Sequence, residues 1–93
     1  MYLDVRIMAS PFAHLRIGII VPKHQHSAVE RNRVKRRLRE LARTELVPGL
    51  RGQAAHDVAI RARVEAYRAT FDALRDDMRA LFGRLSTELS ARA

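Results

Sequence analysis

Between Arg31 and Arg43 seven basic residues meet a single acid, Glu40. The apolar residues of that stretch, Val34, Leu38, Leu41 and Ala42, are spaced so that a helix turning by about 100° per residue gathers them into one narrow stripe. On the same wheel Arg33, Arg36 and Arg43 take the opposite side, with Asn32 and Arg39 beside them and Arg37 on the other flank. The segment therefore predicts a helix that lays its stripe on a core and turns a cationic face outward. Glu40 offers a pair to Arg36, four residues before it, but the remaining like charges repel at three- and four-residue spacing unless anions neutralise them. A phosphate backbone supplies such anions, and Asn32 adds a directional hydrogen bond to a sugar hydroxyl or a base edge.

The rest of the charge does not repeat this pattern. The chain has 93 residues and a net charge of +8, and residues 16–43 alone hold nine basic residues against two acids, a net +7. Sixteen of the 18 basic residues are arginine, the side chain whose planar fork grips phosphate with two hydrogen bonds and stacks on bases. That balance points to a polyanionic partner, nucleic acid before membrane. The length fits one small domain over residues 1–93, and a chain of this size gains stability from a partner. Cysteine is absent, which removes disulfide frameworks, thiolate zinc sites and cysteine nucleophiles and fits a reducing compartment. With no apolar run long enough to span a bilayer and an acid inside the opening apolar stretch, the expected location is the cytoplasm, away from membranes.

Periodicity orders the elements. Residues 2–8 alternate, with Leu3, Val5 and Ile7 on one face, and residues 15–21 form a β-branched run closed by Pro22; both predict strands. Ser27 followed by Glu30 is a capping box that starts a helix at Ala28, and Pro48-Gly49 suggests its stop near Val47. His56 to Ala62 reads as a third strand, with Gly18, inside the second, marking a close approach or a bulge. Phe71, Leu74, Met78, Leu81, Phe82, Leu85 and Leu89 form the stripe of a last helix from about Tyr67 to Ser90. The order β-β-α-β-α predicts an α+β fold, a small three-stranded sheet packed with two helices.

No catalytic constellation stands out. Asp76 and Asp77 point about 100° apart on a helix and read as solvated face. His24 and His26 lack a third ligand nearby, so no metal site is expected, and beside Lys23 they suit pH-dependent phosphate contact. A helix that ends at Pro48 has no leucine zipper to continue into, which argues against a DNA-binding basic zipper.

The stretch Ala28-Val29-Glu30-Arg31-Asn32-Arg33-Val34-Lys35-Arg36 resembles the A-V-x-R-N-R-hydrophobic-K-R signature of the protein subunit of bacterial ribonuclease P, and the strands and last helix around it follow in the same order. The resemblance implies a fold like ribosomal protein S5 domain 2, with an uncommon left-handed βαβ crossover around the basic helix. It implies an RNA-containing holoenzyme in which the catalytic RNA, with Mg²⁺, removes the 5′ leader of precursor tRNA, while the protein binds no cofactor of its own and contacts both RNAs. Arg31, Asn32, Arg33, Lys35 and Arg36 are the carried-over RNA contacts; the charge pattern adds Arg37, Arg39, Arg43 and Lys23. Tyr2 and Val5 lie on the strand that resembles the floor of the family's leader-binding cleft. The helix and strand that usually come before it in the family are not in this sequence, and His24, Gln25 and His26 stand where the family shows Lys and, two positions later, Gly. Charge and fold without the motif would equally suit a ribosomal or general structured-RNA-binding protein.

Overall fold

In a computed structural model of the chain, which describes residues 2–9, 15–23, 25–50 and 56–92, the strands are β1 (Leu3–Ala9), β2 (Arg16–Ile20) and β3 (His56–Ala62). Helix α1 (Ala28–Leu41) passes through a π-helical turn (Ala42–Leu46) into a short α2 (Val47–Leu50), and a 3₁₀ turn (Val64–Arg68) leads to α3 (Phe71–Arg92). The expected α+β order holds. β3 is central, antiparallel to β1 and parallel to β2, so that β2, α1 and β3 form the βαβ crossover.

Strand alternation sorts the sheet into two unlike faces. Val5 and Ile19 both register with Ile60, and this row, with buried Leu3, Val58 and Ala62, faces the helices. The opposite face carries Arg6, Ala59 and Gly18 in one row, flanked by Met8 and Ile20, which are 47% and 49% exposed. Gly18 is not there for close packing, because a Cβ at this position would meet nothing within 4 Å. A shallow hollow of about 460 Å³ on that face is lined by Asp4, Val5, Arg6, Met8, Ile20, Ala59 and Arg61.

The helix layer supplies the rest of the core: Val34, Leu38 and Leu41 from α1, Leu46 and Leu50 beyond it, and Leu74, Met78, Leu81, Leu85 and Leu89 from α3. Ser27 starts α1 as its capping box requires, the Glu30 N–H donating to Ser27 Oγ at 3.1 Å and the Ser27 N–H to Glu30 Oε1 at 3.0 Å. The helix does not stop at Pro48-Gly49. The Val47 N–H bonds the Ala42 carbonyl, five residues back, and this wider turn shifts the following residues by one position, so that Leu46 and then Leu50 follow Leu41 into the core. Pro48 has no N–H to leave unpaired, and a widened turn ahead of it eases the clash of its ring with the preceding carbonyls. Gly49 fits beneath Phe82, whose ring would lie 2.5 Å from an added Cβ.

The last helix begins later than the Tyr67 start suggested by its stripe. Thr70 Oγ1 accepts from the Ala73 N–H at 3.1 Å and caps α3, which leaves Tyr67 in the 3₁₀ turn and Phe71 exposed at the helix start. Asp77 is not solvated face: its Oδ2 accepts from the N–H groups of Tyr2 at 2.8 Å and Leu3 at 3.0 Å, fastening the start of β1 to α3. No helix among the described residues is long and apolar enough to cross a membrane.

Candidate nucleic-acid interface

With Leu38 at 0% exposure and Val34 and Leu41 buried beside it, the orientation of α1 is set by its apolar stripe. Asn32, Arg33, Arg36, Arg39 and Arg43 are consequently exposed, whereas Arg31, Lys35 and Arg37 are half-buried on the flanks. Glu40 pairs with Arg43, one turn on, rather than with Arg36; the Arg43 Nε donates to Glu40 Oε2 at 3.2 Å. This guanidinium holds the Glu40 carboxyl below its ordinary range.

Elsewhere in the fold four arginines are matched to acids. Arg16 forks onto Asp57 across β2 and β3 at 2.9 and 2.8 Å, Arg63 pairs with Asp4 at 2.6 Å, Arg75 with Asp72 at 2.8 Å and Arg79 with Glu45 at 3.2 Å. Among the described residues no ion pair engages Arg33, Lys35, Arg36, Arg37 or Arg39. Arg6, Arg61, Arg68 and Arg84 also lack an ion pair among the described residues, but they are scattered, whereas on α1 the unpaired basic residues stand together in one run. Val29 shares their face, one turn before Arg33, and is 70% exposed, an apolar neighbour for a base or sugar that charge counting overlooks.

At the start of α1, His26 stacks on Tyr67 with ring centroids 3.8 Å apart and planes 5° from parallel. Its Nδ1 lies 3.0 Å from Glu30 Oε2. The bond to His26, with those from the backbone and side chain of Ser27, pulls the Glu30 carboxyl down to about 2. A carboxyl depressed in the fold stabilises it above its unfolded pKa and loses that contribution as the pH falls through the folded value. Acid titration should therefore weaken the fold between about pH 4.5 and 2, and thermal melts of Glu30→Gln should show a shallower loss across that window. An identical acid slope in both proteins would contradict the assignment. His24 lies outside the described residues; Lys23 is exposed, and its carbonyl accepts from the His26 N–H at 2.8 Å. Among the described residues no three histidine or carboxylate side chains converge in a way that could hold a metal ion.

Comparison with known proteins agrees with this architecture. The family model for ribonuclease P matches residues 2–86. The chain belongs to the ribonuclease P protein family. Ribonuclease P protein components from Thermus thermophilus and Caulobacter vibrioides are 47% and 39% identical to it over 72 and 75 residues, covering 76% and 81% of this chain. Those matches take in 40% and 49% of the relatives, so the chain spans less than half the length of either. The solved RNase P protein of Staphylococcus aureus superposes with a TM-score of 0.71 at 25% identity, covering 88% of this chain and 72% of that one. That of Thermotoga maritima gives 0.70 at 26% identity, covering 89% and 76%.

Within this family frame the candidate residues fall into separate places. The signature residues Asn32, Arg33 and Arg36 share the exposed face of α1, whereas Arg31 is half-buried, its charge opposing the rise that burial gives the Tyr67 pKa, and Lys35 sits on the flank. Tyr2 precedes β1, half-buried and packed against the core. Val5 is half-buried, sharing the alternation of Leu3 and Ile7 that packs against the helices, and it also borders the hollow on the open face. Arg6 and Arg61, which bracket the hollow on the open face, went unmarked in the sequence because they are isolated in the chain and meet only when β1 and β3 pair.

Proposed function

We propose that this ribonuclease P family protein binds the catalytic RNA subunit of ribonuclease P through α1 and assists recognition and removal of the 5′ leader of precursor tRNA. The observation that carries the reading is the run of basic residues from Arg31 to Arg39 on one helix, none of them in an ion pair among the described residues, whereas Arg16, Arg63, Arg75 and Arg79 are matched to acids elsewhere. Arg33, Arg36 and Arg39 hold phosphates by charge-assisted hydrogen bonds, Asn32 fixes a sugar or base edge, and Lys23, Arg31, Lys35 and Arg37 raise the potential along the flanks. Arg43 joins the surface when phosphate competes with Glu40 for its guanidinium.

The leader has a second surface available. β1 is the strand that the family resemblance assigns to the cleft floor, and its outward residues are Asp4, Arg6 and Met8, with Val5 also bordering the hollow they line. Arg6 and Arg61 suit phosphates there, with Met8 and Ile20 as apolar contacts for bases. The protein is the non-catalytic part of the endoribonuclease, and the metal-dependent hydrolysis belongs to the RNA; among the described residues no three histidine or carboxylate side chains are gathered for a metal ion.

A ribosomal or general RNA-binding role makes a different prediction about what the protein holds in the cell. Tagged protein captured from its own organism, washed at moderate salt and sequenced for bound RNA, should be enriched above all for ribonuclease P RNA and precursor tRNA. Enrichment of ribosomal RNA alone, in proportion to its abundance, would contradict the proposal.

A further inference from the structure

Two rings from distant parts of the chain meet at the N-terminal end of the arginine face. The His26 and Tyr67 rings are stacked at 3.8 Å and held at their edges: the Tyr67 hydroxyl donates to the Pro22 carbonyl at 2.6 Å, and His26 Nδ1 lies 3.0 Å from Glu30 Oε2. The backbone beneath His26 is fixed too, in a turn that places Gln25 at φ 62° and closes with the His26 N–H on the Lys23 carbonyl. The pair is therefore formed before any ligand arrives, so a ring added to it need not order these side chains first.

Tyr67 covers one face of the imidazole and Glu30 one edge, yet the His26 side chain keeps 25% of its surface exposed. Basic residues lie near the stack in the chain. Arg31 is close enough for its charge to act on the Tyr67 phenol, and Lys23 is exposed at the other end of the turn that carries His26. A ring with support behind it and basic residues near it is the arrangement that holds single-stranded nucleic acid, where bases stack on aromatic side chains while basic groups track the backbone. We propose that His26, backed by Tyr67, is a stacking site for an unpaired nucleobase, with Lys23 and Arg31 taking the adjoining phosphates. The inference rests on the RNA-binding reading of α1 and adds a contact to bases to a surface otherwise addressed to phosphates.

The test uses two fluorescent probes of equal charge, an octauridylate and the same ribose-phosphate chain without bases, with affinities measured by anisotropy. The wild-type protein should bind the base-bearing probe about tenfold more tightly, the size expected for one stacked base. His26→Ala and His26→Gln should both lose that preference, the glutamine retaining a donor for Glu30, whereas His26→Phe should keep it. Arg33→Ala should weaken both probes alike, and thermal melts of each variant establish that it is folded. Equal wild-type affinity for the two probes, or a preference that survives both His26→Ala and His26→Gln, would overturn the stacking site while leaving the phosphate face intact. Absence of binding to either probe, with Arg33→Ala indifferent, would instead overturn the RNA-binding reading and the stacking site with it.

Discussion

Protein freed of all RNA should leave precursor tRNA uncut, and adding the ribonuclease P RNA with Mg²⁺ should produce cleavage at the mature 5′ end. The expectation follows from how most of the acids are engaged. Asp57 is held by Arg16, Asp4 by Arg63, Glu40 by Arg43 and Glu45 by Arg79. Asp77 takes two backbone N–H groups, and Glu30 closes the α1 capping box. Where a shift is resolved on these acids, on Asp4, Glu30 and Glu40, it is downward, the wrong direction for a proton donor or acceptor near neutrality. His26 is committed to Glu30 and Tyr67. Gel-resolved cleavage with RNA-free protein, with RNA alone, and with both would check this, and Mg²⁺-dependent cutting by the RNA-free protein would refute it.

Replacing Arg33 and Arg36 together with alanine should weaken affinity for the ribonuclease P RNA by about a hundredfold, near tenfold for each lost charge-assisted contact. Both side chains are exposed, and no ion pair among the described residues depends on them, so the melting temperature should hold or rise as repulsion on the helix is relieved. Leu38→Ala is the contrast: it removes a fully buried side chain and should cost about 2–5 kcal/mol of stability, so its effect on binding would track loss of the fold. Filter binding and thermal melts on the same preparations separate the two routes.

The strands and the start of α1 were legible because their signals are local. Leu3, Val5 and Ile7 alternate, Ser27 and Glu30 lie within one turn, and the α1 stripe has the period of a helix. The arginine face was legible for the same reason. The passage of the helix through Pro48 was missed because proline and glycine are read as a stop, although the interval of five from Leu41 to Leu46 and of four to Leu50 carries the mark of a one-residue insertion. Thr70 could have placed the start of α3, since a threonine before Phe71-Asp72 is a cap followed by an acid in the first turn. Other features depend on tertiary pairing and leave no short-range trace. Asp77 caps a strand that begins more than 70 residues earlier, and His26 meets a tyrosine 41 positions away. The exact place of Val5 followed from strand alternation, but the side of the sheet that stays open depends on where the helices settle.

The most direct test of the central claim, that the unpaired arginines of α1 hold RNA by its phosphates, is the slope of log affinity against log salt for the ribonuclease P RNA. Each phosphate contact contributes about 0.7 to 0.9 to that slope through counterion release. The wild-type protein should show a steep decline, and the Arg33→Ala, Arg36→Ala double variant should be flatter by about 1.4 to 1.8. A folded double variant with the wild-type affinity and the wild-type slope would contradict the account.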